Sequence, residues 1–145
     1  MLENNFITLI ILYLEYHSLK NNNLIKNKYV KVVPIDIDKN LTALGLAYWI
    51  MDDGSFFRAK NQVIICTYSY SKEEVLRLIS ILNTKFNLST GLITIPKNNE
   101  STASVSNVNY NNCYYHIRIN NSSLTTLIKL TKPYFIPSMY YKLGL

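Results

Sequence analysis

Leu44-Gly45-Leu46-Ala47-Tyr48-Trp49-Ile50-Met51-Asp52-Asp53-Gly54 is apolar with small residues interleaved, and it stops on two carboxylates and a glycine. The first part predicts a helix. The ending is electrostatically odd, because a helix C-terminus carries partial negative charge and an aspartate there costs from a few tenths to about 1 kcal/mol. Two adjacent aspartates worsen this unless a cation sits beside them. A divalent metal with oxygen ligands is one such cation. Asp-Gly is also a common turn dipeptide, and many helices end at glycine. On these residues alone a metal site and a plain helix stop both stand.

Around this segment lies a chain of 145 residues, long enough for one domain with a substantial core. A hydrophobic content of 48% with 12% aromatics excludes a disordered chain. The net charge of +6 and a pI near 9.3 point to a polyanionic partner, nucleic acid first and an anionic membrane second. Arginine occurs only at 58, 77 and 118, while Lys, Asn, Ile and Tyr abound. These are residues of A/T-rich codons, and they suggest an A/T-rich coding genome such as that of a mitochondrion or other organelle. Cys66 and Cys113 form no C-x-x-C pair and have no histidine nearby at ligand spacing, which argues against zinc. A reduced compartment is the simpler reading, with a disulfide left open. The apolar run from Phe6 to Leu14 is too short for a bilayer, which needs about 20 residues. It lacks a basic leader and follows Glu3, so a buried helix is expected there rather than a signal peptide. No transit peptide is visible, so an organellar protein of this kind is expected to be made in place, with no membrane partner.

Residues 1–20 read as a helix and 21–40 as a polar, lysine-rich connection holding a β-like piece from Tyr29 to Val33. The motif helix is expected over 41–53, capped by Asn40 or Thr42. Gly54 to Lys60 reads as a short strand and turn, and Gln62 to Tyr70 as a β-branched and aromatic strand. Ser71-Lys72-Glu73-Glu74 is a capping box. The helix it opens carries an apolar stripe at Val75, Leu78, Ile79, Leu82 and Phe86. Strands are expected at Thr90 to Ile95 and Tyr114 to Ile119, separated by a polar stretch from Lys97 to Asn112. Ser122 or Ser123 caps a helix through Leu130, Lys132-Pro133 stops it, and Pro137 to Leu143 forms a short final helix. The order is α-β-β-α-β-β-α and then this last helix: an α+β domain at 41–145, preceded by a segment at 1–40.

The pleat sorts the strand residues into two faces. Tyr115, Ile117 and Ile119 face the core with Val63, Ile65 and Thr67. Gln62, Cys66, Tyr68, Tyr114, His116 and Arg118 face away. Such groups suit stacking and hydrogen bonding to nucleic acid, and a two-stranded ribbon fits the major groove of B-DNA. An ordinary solvated sheet face reads the same way.

These features together resemble the LAGLIDADG homing endonucleases, and in particular the C-terminal half of two-motif enzymes encoded in organellar introns. The residues that carry the resemblance are Leu41-Thr42, Leu46 to Gly54, Thr67 to Tyr70, Glu73 to Val75, Lys85-Phe86, Lys132 to Tyr134 and Ile136 to Leu143. The resemblance implies the LAGLIDADG homing endonuclease fold, with a four-stranded antiparallel DNA-binding sheet and helices on its opposite face. It implies site-specific hydrolysis of double-stranded DNA with Mg²⁺, for which Mn²⁺ can substitute. Asp53 would bind the metal with backbone from Gly54, and Lys142 and the less secure Lys31 would polarise the catalytic water. The motif helix would pair with a second motif helix through Ala43, Gly45, Ala47 and Ile50. Lys60 and Lys97 would join the outer-face residues on DNA, touching phosphates.

Two departures qualify this. A single motif is present, whereas duplex cleavage needs two sites, so a homodimer, a separately encoded LAGLIDADG half or a truncated remnant all stand. Tyr68 occupies a position where many relatives have Gln or Asn. The rival from another class is an RNA-binding intron maturase, with intron RNA as partner and no metal chemistry.

Overall fold

The computed structural model describes residues 32–97 and 112–145. The helix expected over 1–20, most of the β-like piece and the stretch from 98 to 111 lie outside these residues. The described chain is an antiparallel four-stranded sheet in the order β1-β2-β4-β3 with helices against one face. Its strands are β1 Gly54–Phe57, β2 Gln62–Cys66, β3 Thr90–Pro96 and β4 Cys113–Ile119; its helices are α1 Ile37–Asn40, α2 Ala43–Asp53, α3 Lys72–Phe86 and α4 Leu124–Thr131. The α+β class and the predicted element order are both present.

The core is one cluster between sheet and helices. Val63 and Ile65 of β2 and Ile117 and Ile119 of β4 meet Leu46 and Ile50 of α2, Val75 and Leu82 of α3, and Leu127 of α4. Val33, Ile37 and Leu41 belong to the same cluster. The boundary placed at residue 40 therefore runs through packed core. Val32 and Val33 are not in a strand; side chains of α3 take up this stretch instead. The Val33 N–H donates to Glu74 Oε1 at 2.8 Å, and the Arg77 guanidinium donates to the Val33 and Pro34 carbonyls at 2.6 and 2.8 Å.

Local chemistry sets the helix ends. Thr42, and not Asn40, caps α2: its hydroxyl accepts from the Gly45 N–H at 3.1 Å, while the Asn40 amide donates to Asp36. The capping box of α3 is complete, with Ser71 and Glu74 bonding each other's backbone. Its buried residues are Val75, Leu78, Ile81 and Leu82; Ile79 and Phe86 sit at the margin of the cluster. At α4 the expected cap is absent. The Ser123 hydroxyl accepts instead from the Ser89 N–H at 2.6 Å, tying the start of α4 to β3. The final segment Pro137–Leu143 is a 3₁₀ helix.

β2 ends at Cys66, four residues sooner than expected. Thr67 turns inward and its hydroxyl donates to the Tyr115 carbonyl at 2.5 Å. That bond withdraws Thr67 from the ladder and starts the turn that returns at Tyr70. Cys66 and Cys113 lie on opposite sheet faces and no disulfide joins them. Among the described residues no helix is long and apolar enough to cross a membrane.

Candidate active centre and nucleic-acid face

At the end of α2 the chain passes straight into β1. The Gly54 N–H donates to the Ile50 carbonyl, closing the last turn. A Cβ at Gly54 would collide with that same carbonyl oxygen and meet Ile50 Cγ2 at 2.7 Å. Glycine is thus dictated by close approach, since its φ of −85° suits any residue. Asp52 and Asp53 are both exposed at this tip.

A cation does sit beside the two aspartates, and it comes from the far end of the chain. Lys142 Nζ donates to the main-chain oxygens of Met51 at 2.5 Å and Asp52 at 3.2 Å. The helix has no basic residue in its own last turn. Lys142 therefore places positive charge where the helix dipole is negative, and a divalent metal is not required to explain the acidic ending. It remains compatible with it. The two carboxylates are hard oxygen donors of the kind Mg²⁺ takes, with water and phosphate filling the other positions. Among the described residues no group of three or more His, Cys, Asp or Glu side chains could hold a metal ion. This tip would thus supply part of a coordination shell.

Cys66 reaches the same corner from β2, because its neighbour Ile65 pairs with Gly54. Burial pushes the Cys66 thiol up, the Asp53 charge pushes it further, and Lys142 pulls it back. Positions 53, 66 and 142 thus share one electrostatic corner. The sequence places Cys66 only on the outer face; its link to the aspartates follows from the β1–β2 register, which pattern alone does not fix. Lys31 lies outside the described residues.

The residues expected to meet a second motif helix divide. Ala47 and Ile50 are 0% exposed within this one chain. They belong to its own core, and Gly45 is buried with them. With Leu46 and Met51 they form the buried stripe of α2. Ala43 is partly exposed. The outward side of α2 carries Leu44, Tyr48 and Asp52, four residues apart, with Tyr48 at 37% exposure. Tyr48, which is not among the residues expected at the pairing face, marks this outward side by its i+4 spacing from Leu44.

The outer sheet face holds Gln62, Cys66, Tyr114 and Arg118 as the pleat requires, with Tyr68 brought against it from the turn after β2, Lys60 in the β1–β2 turn and Lys97 just past β3. Arg118 lies over Gly91 and its Nε donates to Asn120 Oδ1 at 2.9 Å. Lys97 Nζ stands 5.0 Å from the Tyr114 ring centroid. His116 shares this face but is only 3% exposed. Exposed Phe57 and Ile95 make the rim more apolar than expected.

Comparison with known proteins bears on this arrangement. The profile of the LAGLIDADG DNA endonuclease family matches residues 11–127. The chain is 33% identical over 126 residues to the cytochrome b mRNA maturase bI2 of Debaryomyces hansenii, covering 85% of this chain and 42% of that protein. It is 35% identical over 119 residues to the intron-encoded endonuclease ai4 of Dictyostelium discoideum, covering 81% and 65%. Among solved structures it resembles the homing endonuclease I-WcaI bound to its DNA recognition sequence, with a TM-score of 0.64 and 32% identity, covering 82% of this chain and 48% of that one. The chain thus spans about half the length of these relatives.

Proposed function

Because the chain belongs to the LAGLIDADG DNA endonuclease family, we propose that it acts as one half of a site-specific, metal-dependent DNA endonuclease of organellar introns. The outer sheet face lies in the major groove, and α2 meets a second motif helix from a homodimer partner or a separately encoded half. The observation that carries this reading is the tip of α2. There Asp53 stands at a helix end that Lys142 holds from the opposite terminus of the domain.

The chemistry follows from the donors. Asp53 here and its counterpart in the second half would hold Mg²⁺, which would supply charge stabilisation for phosphodiester hydrolysis. Asp53 provides the charged oxygen ligand. Lys142 fixes the helix end that carries it and sets a positive field near the site. Gly54 lets the first strand leave that end without displacing it. Lys60, Lys97 and Arg118 give salt-dependent phosphate contacts.

A second reading is an RNA-binding maturase. It is favoured by the name of the Debaryomyces relative, and α2 would serve there only as an interface. Asp53→Asn separates the two. In the nuclease reading it abolishes cutting of intron-lacking organellar DNA in Mg²⁺ while DNA binding persists. If Asp53→Asn instead leaves cutting unchanged, the metal role assigned to this aspartate is wrong. If the wild type cuts nothing yet supports splicing of its intron, the maturase reading replaces the nuclease.

A further inference from the structure

His116 is at the centre of the outer sheet face, on β4, opposite Cys66 of β2 and Ile93 of β3. Its strand neighbours on that face, Tyr114 and Arg118, are accessible. His116 itself is 3% exposed, and neither ring nitrogen has a hydrogen-bond partner among the described residues. The nearby Ile65 backbone favours the charged ring slightly but does not reach bonding geometry, and burial outweighs it, holding the imidazole below its ordinary pKa. The neutral ring then carries one donor and one acceptor.

An imidazole shut away with both nitrogens unused costs stability, since buried polar groups are normally bonded. One side chain packed against it is that of Tyr68. The Tyr68 ring lies edge-on over His116 at 4.4 Å between centroids and against Tyr114 at 4.8 Å. Tyr68 belongs to the turn after β2, and is itself 54% exposed. It stands outside the sheet ladder and touches Tyr114 and His116 through ring contacts.

We infer that Tyr68 is a displaceable cover and that His116, uncovered when nucleic acid meets the sheet, reads a hydrogen-bonding base edge. Before binding, the cover keeps the imidazole dry. On binding, Tyr68 swings toward the duplex, where its ring packs on sugar or base, and His116 gains the partner it lacks. The unpaid cost in the free protein becomes discrimination in the complex, because a base without the matching donor or acceptor leaves the ring unpaired again. This inference rests on the sheet face being the nucleic-acid surface.

Three measurements test it. Ethoxyformylation of His116 by diethyl pyrocarbonate, followed peptide by peptide so that His17 is separate, should be at least tenfold faster in Tyr68→Ala than in the wild type. Equal rates would overturn the cover. His116→Leu removes the unpaired nitrogens at similar volume, and should raise the melting temperature by roughly 2–5 °C; a fall would show that the imidazole has a structural partner and overturn the inference. Selection from a randomised 30-base-pair duplex library, in Ca²⁺ to suppress cutting, should give a wild-type preference at one base pair that His116→Leu loses and Tyr68→Ala keeps. Loss of that preference in Tyr68→Ala alone would assign the reading to Tyr68. No enrichment by the wild type, with protection of His116 intact, would instead remove the duplex-binding reading on which this one stands.

Discussion

Lys142 Nζ and the main-chain oxygen of Met51 lie 2.5 Å apart, joining residues 91 positions apart in sequence. This contact explains how a helix can end in two aspartates. The ammonium neutralises the carbonyl end of α2 and is near enough to Asp53 that both charges act on one thiol. It also locks the C-terminal 3₁₀ segment onto the helix, where the Ile136 N–H points at Met51 Sδ at 3.4 Å.

Lys142→Met should therefore destabilise the domain by about 1–2 kcal/mol, the scale of a charge-assisted hydrogen bond combined with a helix-end charge. Urea unfolding measures it. Lys142→Arg should recover part of the loss, since it keeps the charge while changing its geometry. Cleavage should fall in both variants, more steeply for Met.

Gly54→Ala should cost about 1–3 kcal/mol through overpacking against Ile50. The added methyl meets a main-chain oxygen that cannot step aside without breaking the last turn of α2. Thermal unfolding of the purified variant gives the magnitude, and a neutral result would mean the helix end is more adaptable than its geometry indicates.

The two sides of α2 should respond differently to substitution. Ile50→Ala opens a cavity in the chain's own core and should cost about 2–5 kcal/mol. Tyr48→Glu lies on the outward side and should leave unfolding within about 0.5 kcal/mol of wild type. It should instead weaken association with a second motif helix, read as a shift toward monomer in sedimentation velocity. If Ile50→Ala weakens association while stability is unchanged, the inward assignment of that side chain fails.

The corner formed by Asp53, Cys66 and Lys142 has a pH signature. The Cys66 thiol is raised first by burial and then by Asp53, and lowered by Lys142. Removing the carboxylate charge in Asp53→Asn should move the pH–rate profile of iodoacetamide alkylation at Cys66 to lower pH. Lys142→Met should move it to higher pH. Mass spectrometry distinguishes Cys66 from buried Cys113. Shifts of the opposite sign would mean that these charges do not face the thiol.

Much of this architecture is written locally. The Ser71–Glu74 capping box, the stop at Gly54, and the alternation in Tyr114 to Ile119 each depend on chemistry within a few residues, and each appears where local rules put it. What local pattern could not supply were consequences of register and of long-range contact. The end of β2 at Cys66 is decided by a Thr67 hydroxyl that reaches Tyr115, 48 residues away. The Ser123 hydroxyl is taken by Ser89 before it can cap α4. At the tip of α2, the helix end at Asp53 and Gly54 was legible from the motif. The inward orientation of Ala47 and Ile50 was not, because α2 is apolar nearly all round and periodicity could not tell the core side from the interface side. His116 reads as an outward residue and is one by register; its concealment under Tyr68 belongs to a turn no alternation rule describes.

The most direct test of the central claim is cleavage of intron-lacking organellar DNA by the wild type and Asp53→Asn in parallel, with Mg²⁺ and then Mn²⁺, followed by sequencing of the ends. Discrete cuts by the wild type, lost without metal and abolished in a variant that still folds and binds DNA, are predicted. Undiminished cutting by Asp53→Asn, or no cutting by the wild type with either metal when a second motif-bearing half is supplied, would contradict it.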